Sequence, residues 1–104
     1  MATITKALAR AAFGTTIADL YTVPTTATTT VVTNIVVTNT GSTSGTFNIL
    51  LDGVELFSTS PIAAYTTISV DVKQVLDMNA TPKKIRGYAS ATTIKYHISG
   101  VEIV

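Results

Sequence analysis

The sequence predicts an all-β chain, an antiparallel β-sandwich or jelly roll of about seven to eight strands with an N-terminal arm. Three observations carry this. Thr, Val and Ile number 21, 11 and 10, so 42 of the 104 residues are β-branched, and such side chains are stiff at χ1 and suit a pleated sheet. Apolar runs recur roughly every 8 to 12 residues between turn-forming residues, the spacing of a sandwich. Charged residues make up only 12% of the chain, about half the usual share, so much of the surface is neutral. A chain of this length supplies one domain. It divides into residues 1–16, an arm or edge strand, and residues 17–104, a single β-sandwich domain.

In the arm, Ile4, Leu8, Ala11 and Ala12 have helical spacing, whereas Leu8, Arg10 and Ala12 alternate as an edge strand does; the strand or extended form is preferred. The next run, Ile17 to Val23 (IADLYTV), ends at Pro24, which fixes φ and lacks a ladder donor. Thr28 to Thr40 (TTTVVTNIVVTNT) has Val31, Ile35 and Val37 on one parity and Val32 and Val36 on the other. Both of its faces are therefore expected to be covered, the second by another subunit. Gly41 to Gly45 (GSTSG) reads as a flexible connection. Thr46 to Leu51 (TFNILL) puts Phe47, Ile49 and Leu51 on one face, and Asp52-Gly53 joins it to Val54 to Phe57 (VELF). Asp-Gly between apolar runs is the favoured two-residue type I′ turn, whose central positions both need positive φ. Thr66 to Val72 (TTISVDV) alternates with Ile68, Val70 and Val72 inward. Lys73 to Ala80 (KQVLDMNA) breaks the alternation and reads as one helical turn or an ordered loop before Pro82. Ile85 to Ala89 (IRGYA) resumes a strand. In the last run, Thr92 to Val104, Ile94, Tyr96 and Ile98 are even and Val101 and Ile103 odd, which predicts a β-bulge at Ser99-Gly100.

Composition excludes most chemistry. There is no Cys, hence no disulfide, thiolate metal site or Cys nucleophile, and a single His, His97, on the outward parity of its strand. Asp19, Asp52, Asp71, Asp77, Glu55 and Glu102 lack calcium-loop spacing and read as solvated turn and edge residues. Gly41-Ser42-Thr43-Ser44-Gly45 has Ser at the second and fourth places, unlike a Gly-x-Ser-x-Gly elbow, and no phosphate-binding loop occurs. No catalytic residue, cofactor or metal is therefore expected. A net charge of +1 with scattered cations argues against nucleic acid. The densest basic group, Lys83, Lys84 and Arg86, either meets an acidic partner or guards an edge strand. Asn79-Ala80-Thr81 has the spacing of a glycosylation acceptor, which counts for little because residues 1–14 lack the apolar core of a secretory signal. No apolar run is long enough for a transmembrane helix. A soluble protein made in a cytoplasm is expected. Tyr21, Tyr65, Tyr88 and Tyr96, in a chain without Trp, are expected at core edges and subunit contacts rather than on a sugar-binding face.

Leu20-Tyr21-Thr22-Val23-Pro24, the run Thr30 to Gly41 (TVVTNIVVTNTG), the "LDGVELFS" stretch from Leu51 to Ser58, and the ending from Ile85 to Ser90 and His97 to Ile103 together resemble a pattern recurring in small structural proteins of tailed bacteriophages. The likeness covers roughly residues 17 to 104, and its motifs are strand and turn positions. The resemblance implies a β-sandwich virion component present in many copies and often trimeric. The function expected from it is non-enzymatic: a capsid decoration or cement protein, assembled in the host bacterial cytoplasm, that binds itself as a homotrimer and the major capsid protein or other virion proteins, with no nucleic acid or membrane as partner. Ile4, Leu8 and Phe13 of the arm, Val32 and Val36 of the two-faced strand, and Lys83, Lys84 and Arg86 are the expected subunit or capsid contacts. The alternative is a tail fibre, baseplate or neck accessory protein that binds a host receptor or carbohydrate through aromatics such as Tyr65 or Tyr88 grouped on one face or at loop tips.

Overall fold

The computed structural model describes residues 3–23, 29–77 and 84–103. Pro24, Lys83 and the Asn79-Ala80-Thr81 triplet lie outside them. The described residues form β1 (Thr3–Ala12), β2 (Ala18–Thr22), β3 (Thr29–Asn39), β4 (Gly45–Leu51), β5 (Val54–Ile62), β6 (Thr67–Asp77), β7 (Lys84–Ala89) and β8 (Ile94–Ile103). Two antiparallel sheets result, in the orders β1-β8-β3-β6 and β2-β7-β4-β5. Within them β1 pairs with β8, β2 with β7, β3 with β6 and β4 with β5. Each strand of the N-terminal half thus meets its counterpart counted back from the C-terminus, and the β3–β8 and β4–β7 ladders join the resulting ribbons. This connectivity is a jelly roll, the fold class predicted from the sequence. The N-terminal segment is not a free arm: β1 is the edge strand of the first sheet.

The two sheets enclose a core built from alternate residues of each strand. From the second sheet come Phe47, Ile49 and Ile85; from the first come Ile35, Val37, Ile94, Tyr96 and Ile98. Phe13, between β1 and β2, is 1% exposed. Its ring lies 6.1 Å from that of Phe47 and 4.8 Å from that of Tyr96, so one side chain packs against both sheets. Gly87 makes room for it, because a Cβ there would stand 3.0 Å from the Phe13 ring and 2.7 Å from the Asn48 carbonyl oxygen. Ring pairs of this kind add about 0.5 to 1.5 kcal/mol beyond their buried area.

Register irregularities cross the first sheet at one level. Relative to β8, one extra residue stands in β1 at Leu8 and one in β3 at Thr33, and β6 carries one more than β3. A single inserted residue flips the side-chain alternation; two restore it. Hence β3 buries Thr30 and Val32 before the insertion and Ile35, Val37 and Asn39 after it. The bulge explains why both parities of this strand carry residues that reach the core, Val32 on one and Ile35 and Val37 on the other, while Val31 and Val36 stand half-buried on the outer side. Two expectations fail here. The bulge expected at Ser99-Gly100 lies on the strands flanking β8, which alternates without a break, so Glu102 points inward and Val101 and Ile103 outward. Gly100 serves instead as a site of close approach: a Cβ would stand 2.3 Å from the Val31 carbonyl oxygen and 2.8 Å from Leu8 Cδ1. Residues 73–77 form no helical turn either. With two insertions relative to β8, β6 keeps its parity and runs on to bury Leu76 on the same side as Ile68 and Val72, which pack against the core farther up the strand.

The turns follow local chemistry. Asp52 and Gly53 have φ of 53° and 80°, the type I′ geometry expected between β4 and β5. The Asp52 carboxylate also accepts the Lys84 N–H at 3.1 Å. β5 runs past Phe57 to Ile62, and an edge strand tolerates its Pro61. Residues 41–44 are tied down rather than loose. Buried Asn39 donates to the Thr43 carbonyl at 2.8 Å and accepts from the Gly41 N–H at 3.0 Å and the Thr93 hydroxyl at 3.2 Å.

Candidate interaction surfaces

The contact residues expected from the sequence are distributed over the whole molecule. Phe13 and Val32 are enclosed by the chain's own core. Leu8, at the β1 bulge, packs over Gly100 against that core. Ile4 is 45% exposed near the start of β1, and Val36 is half-buried on the outer side of β3. Lys84 and Arg86 occupy β7, an interior strand, so they guard no sheet edge.

On the outer face of the second sheet, charge is already balanced within the chain. Lys84 Nζ lies 2.9 Å from Asp19 Oδ2 and Arg86 Nε 3.0 Å from Asp19 Oδ1. The hydrogen bond from Lys84 holds the Asp19 carboxyl below its usual pKa, against a weaker opposing effect of desolvation. Beside them Asn48 is buried and reaches Glu55. Ion-paired and hydrated, this face is expensive to strip of water.

The outer face of the first sheet differs. The ladders arrange it in rows from β1 to β6: Thr5, Val101, Val31 and Val75; then Ala7, Ser99, Asn34 and Asp71; then Arg10, His97, Val36 and Ser69; then Ala12, Lys95, Thr38 and Thr67. Three valines stand side by side in the first of these rows, and Val75 at its end is 59% exposed. The polar groups are largely satisfied among themselves. Asn34 Nδ2 donates to Asp71 Oδ1 at 3.0 Å, the hydroxyls of Thr38 and Thr67 meet at 2.9 Å, and Thr33 donates to the Ser99 carbonyl at 3.3 Å. Covering such a face leaves few of its neutral polar groups without partners, while Arg10, His97 and Lys95 stand exposed along β1 and β8.

A buried polar cluster escaped the sequence reading. Glu102, 5% exposed, takes a hydrogen bond from the Tyr21 hydroxyl at 2.5 Å and an ion pair from Lys6 Nζ at 3.3 Å. With its proton directed at Glu102, Tyr21 accepts from the Thr30 hydroxyl at 2.9 Å. Tyr21 belongs to one sheet and Glu102 to the other, so the cluster links them. Burial, and then the bond to Glu102, push the Tyr21 pKa far above its usual value. The cluster contradicts the reading of Glu102 as a solvated edge residue. Its signal in the sequence was an acid at an even position of a strand whose even positions face inward.

Among the described residues no group of three or more His, Cys, Asp or Glu side chains is placed to hold a metal ion, and no helix is long and apolar enough to cross a membrane. Tyr65, 74% exposed with φ of 52°, stands at the β5–β6 turn, whereas Tyr88 is half-buried on the outer side of β7. Tyr65 is thus at a loop tip and Tyr88 on a strand.

No protein-family model matches the chain, and no curated protein matches it. Solved structures do. The chain is similar to the tobacco streak virus coat protein in its dimer structure, with 11% identity and a TM-score of 0.47 over 98% of this chain and 84% of that one. It is also similar to a chain of the T13 viral particle of IBDV, with 12% identity and a TM-score of 0.51 over 98% of this chain. The alignment spans 30% of that longer chain. What the likeness to the IBDV chain shows is a shared fold: this protein is an eight-stranded antiparallel jelly roll of the kind found in that viral particle.

Proposed function

We propose that the protein is a non-enzymatic structural component of a virion, specifically a capsid decoration protein that binds the major capsid protein lattice of a bacteriophage as a homo-oligomer, assembled in the host bacterial cytoplasm. The observation that carries this reading is the jelly roll shared, over nearly the whole chain, with part of a chain from an icosahedral viral particle. Two further features support it. The exterior is neutral and rich in Thr, with only 12% charged residues in the chain, and such a surface loses its water cheaply when neighbours cover it. One sheet also presents outward valines that the chain's own fold leaves partly uncovered. The likeness to tailed-phage structural proteins in residues 17–104 supplies the phage assignment. A tail or neck location differs only in the partner. The receptor- or carbohydrate-binding alternative has one exposed aromatic at a loop tip, Tyr65, in its favour, while Tyr88 lies half-buried on a strand.

The test is attachment to particles. Purified protein added to capsids that lack it should co-sediment with them at a saturable stoichiometry and raise the temperature or denaturant concentration at which the shells break. Protein that stays in the supernatant at every concentration overturns the decoration assignment. Recovery on isolated tails alone moves the protein to the tail.

A further inference from the structure

We infer that the outer face of the first sheet is a self-association surface, where two copies of this chain pack face to face about a two-fold axis running along the strands between β8 and β3. This deepens the homo-oligomeric part of the virion reading and rests on that reading there alone.

Self-complementarity of the rows is the argument. A two-fold axis in that direction lays β8 over the partner's β3 and β1 over the partner's β6, row upon row. The row of Thr5, Val101, Val31 and Val75 then covers the same row of the second copy, with Val101 on Val31 and Val31 on Val101. All the cations of these rows, Arg10 and Lys95 with His97 beside them, lie on β1 and β8, while the acids occupy positions on β6, Asp71 here and Asp77 in a fifth row with Thr3, Ile103 and Thr29. The axis brings Arg10 of each copy over the partner's Ser69, one row from the partner's Asp71. Asn34 already holds that carboxylate in place at 3.0 Å. Lys73 on the rim would face the neutral Thr5 and Ala7. Arg10 meets no like charge, and the one like-charge approach, between Lys95 and the Lys95 of the second copy on either side of the axis, falls in the last row at the open end of the face.

Size agrees as well. Strands about 4.8 Å apart and a rise of about 3.4 Å per residue make the five rows from Ile103 to Lys95 about 19 Å by 27 Å. Two such faces bury about 1,000 Å² in total, the lower bound for a specific interface. Sheets stacked with nearly aligned strands are a common packing of twisted β-layers. The second sheet offers no comparable contact, because the same operation would bury the Asp19, Lys84 and Arg86 ion pairs.

Light scattering and sedimentation velocity on the full chain test this. The expected species has twice the 10.9 kDa chain mass. Val75→Lys, at a site already 59% exposed, should leave the melting temperature of the monomer fold in place and weaken dimerisation about tenfold or more, as burying an unpaired charge does. Arg10→Asp and Asp71→Arg should each weaken it about tenfold, and the double exchange should recover most of that loss, as a direct charge pair requires. A monomer at every concentration, a trimer, or a dimer indifferent to Val75→Lys and to the charge exchange would each overturn the inference. Particle attachment is read separately. A monomer that still binds shells removes the pairing and leaves the virion reading, and a dimer that binds no shell does the reverse.

Discussion

Glu102 shows how much can hang on one side chain. It is an acid inside a jelly roll, and what makes it tolerable is that Tyr21, Lys6 and, through Tyr21, Thr30 supply the partners that water would otherwise give. Tyr21→Phe should therefore cost about 1 to 2 kcal/mol in urea unfolding, the range for leaving a buried acceptor short of a donor. The pH dependence has a definite sign. The Tyr21 phenol keeps its proton in the folded chain beyond the pH at which the unfolded tyrosine loses it. Its contribution is thus fully present below about pH 10 and shrinks as the pH rises past that value. Tyr96, raised by burial, acts in the same direction. Urea midpoints should be level near neutrality and fall at alkaline pH, and Tyr21→Phe should remove part of that fall. Equal falls in both proteins would disprove the assignment. The sequence did not announce this cluster, since a valine and an isoleucine flanking Glu102 look like the apolar side of the strand.

Strands and turns were far more legible, because parity and turn chemistry are local. The Asp52-Gly53 hairpin, the inward set of β6 and the face shared by Phe47, Ile49 and Leu51 follow from a few consecutive residues each. The bulges were not readable in the same way. An inserted residue is defined only against a neighbouring strand, and β1, β3 and β8 are far apart in sequence, so a slip that belongs to β1 and β3 was assigned to Ser99-Gly100. The same geometry yields a contrast between glycines. Gly100→Ala drives a Cβ to within 2.3 Å of the Val31 carbonyl oxygen, where the backbone has little room to yield, and should cost about 2 kcal/mol or more. Gly14→Ala meets nothing nearer than 3.7 Å and should be close to neutral. Denaturant midpoints of the two variants decide it, and near-equal losses would count against the close-approach role.

For the molecule as a whole, the first strand matters more than an attached arm would. A free arm could be removed with little effect on melting. Removing residues 1–13 from this fold strips β8 of one ladder and takes the Phe13 ring out of the core. Phe13→Ala alone should cost about 3 to 5 kcal/mol, and the truncation should abolish cooperative thermal unfolding as followed by circular dichroism. A truncated chain that melts normally would show that β1 is dispensable. The architecture was predictable from composition and spacing, but the membership of each sheet was not, because pairing between the two ends of the chain leaves no local trace. That mirror-image pairing also governs when the protein exists at all. β1 leaves the ribosome well before β8, so the ladder that joins them waits until β8 has been made, and contacts of such sequence separation form slowly. The face that β1, β8, β3 and β6 build together is therefore assembled only once β8 exists, which keeps chains still lacking that strand out of any growing assembly.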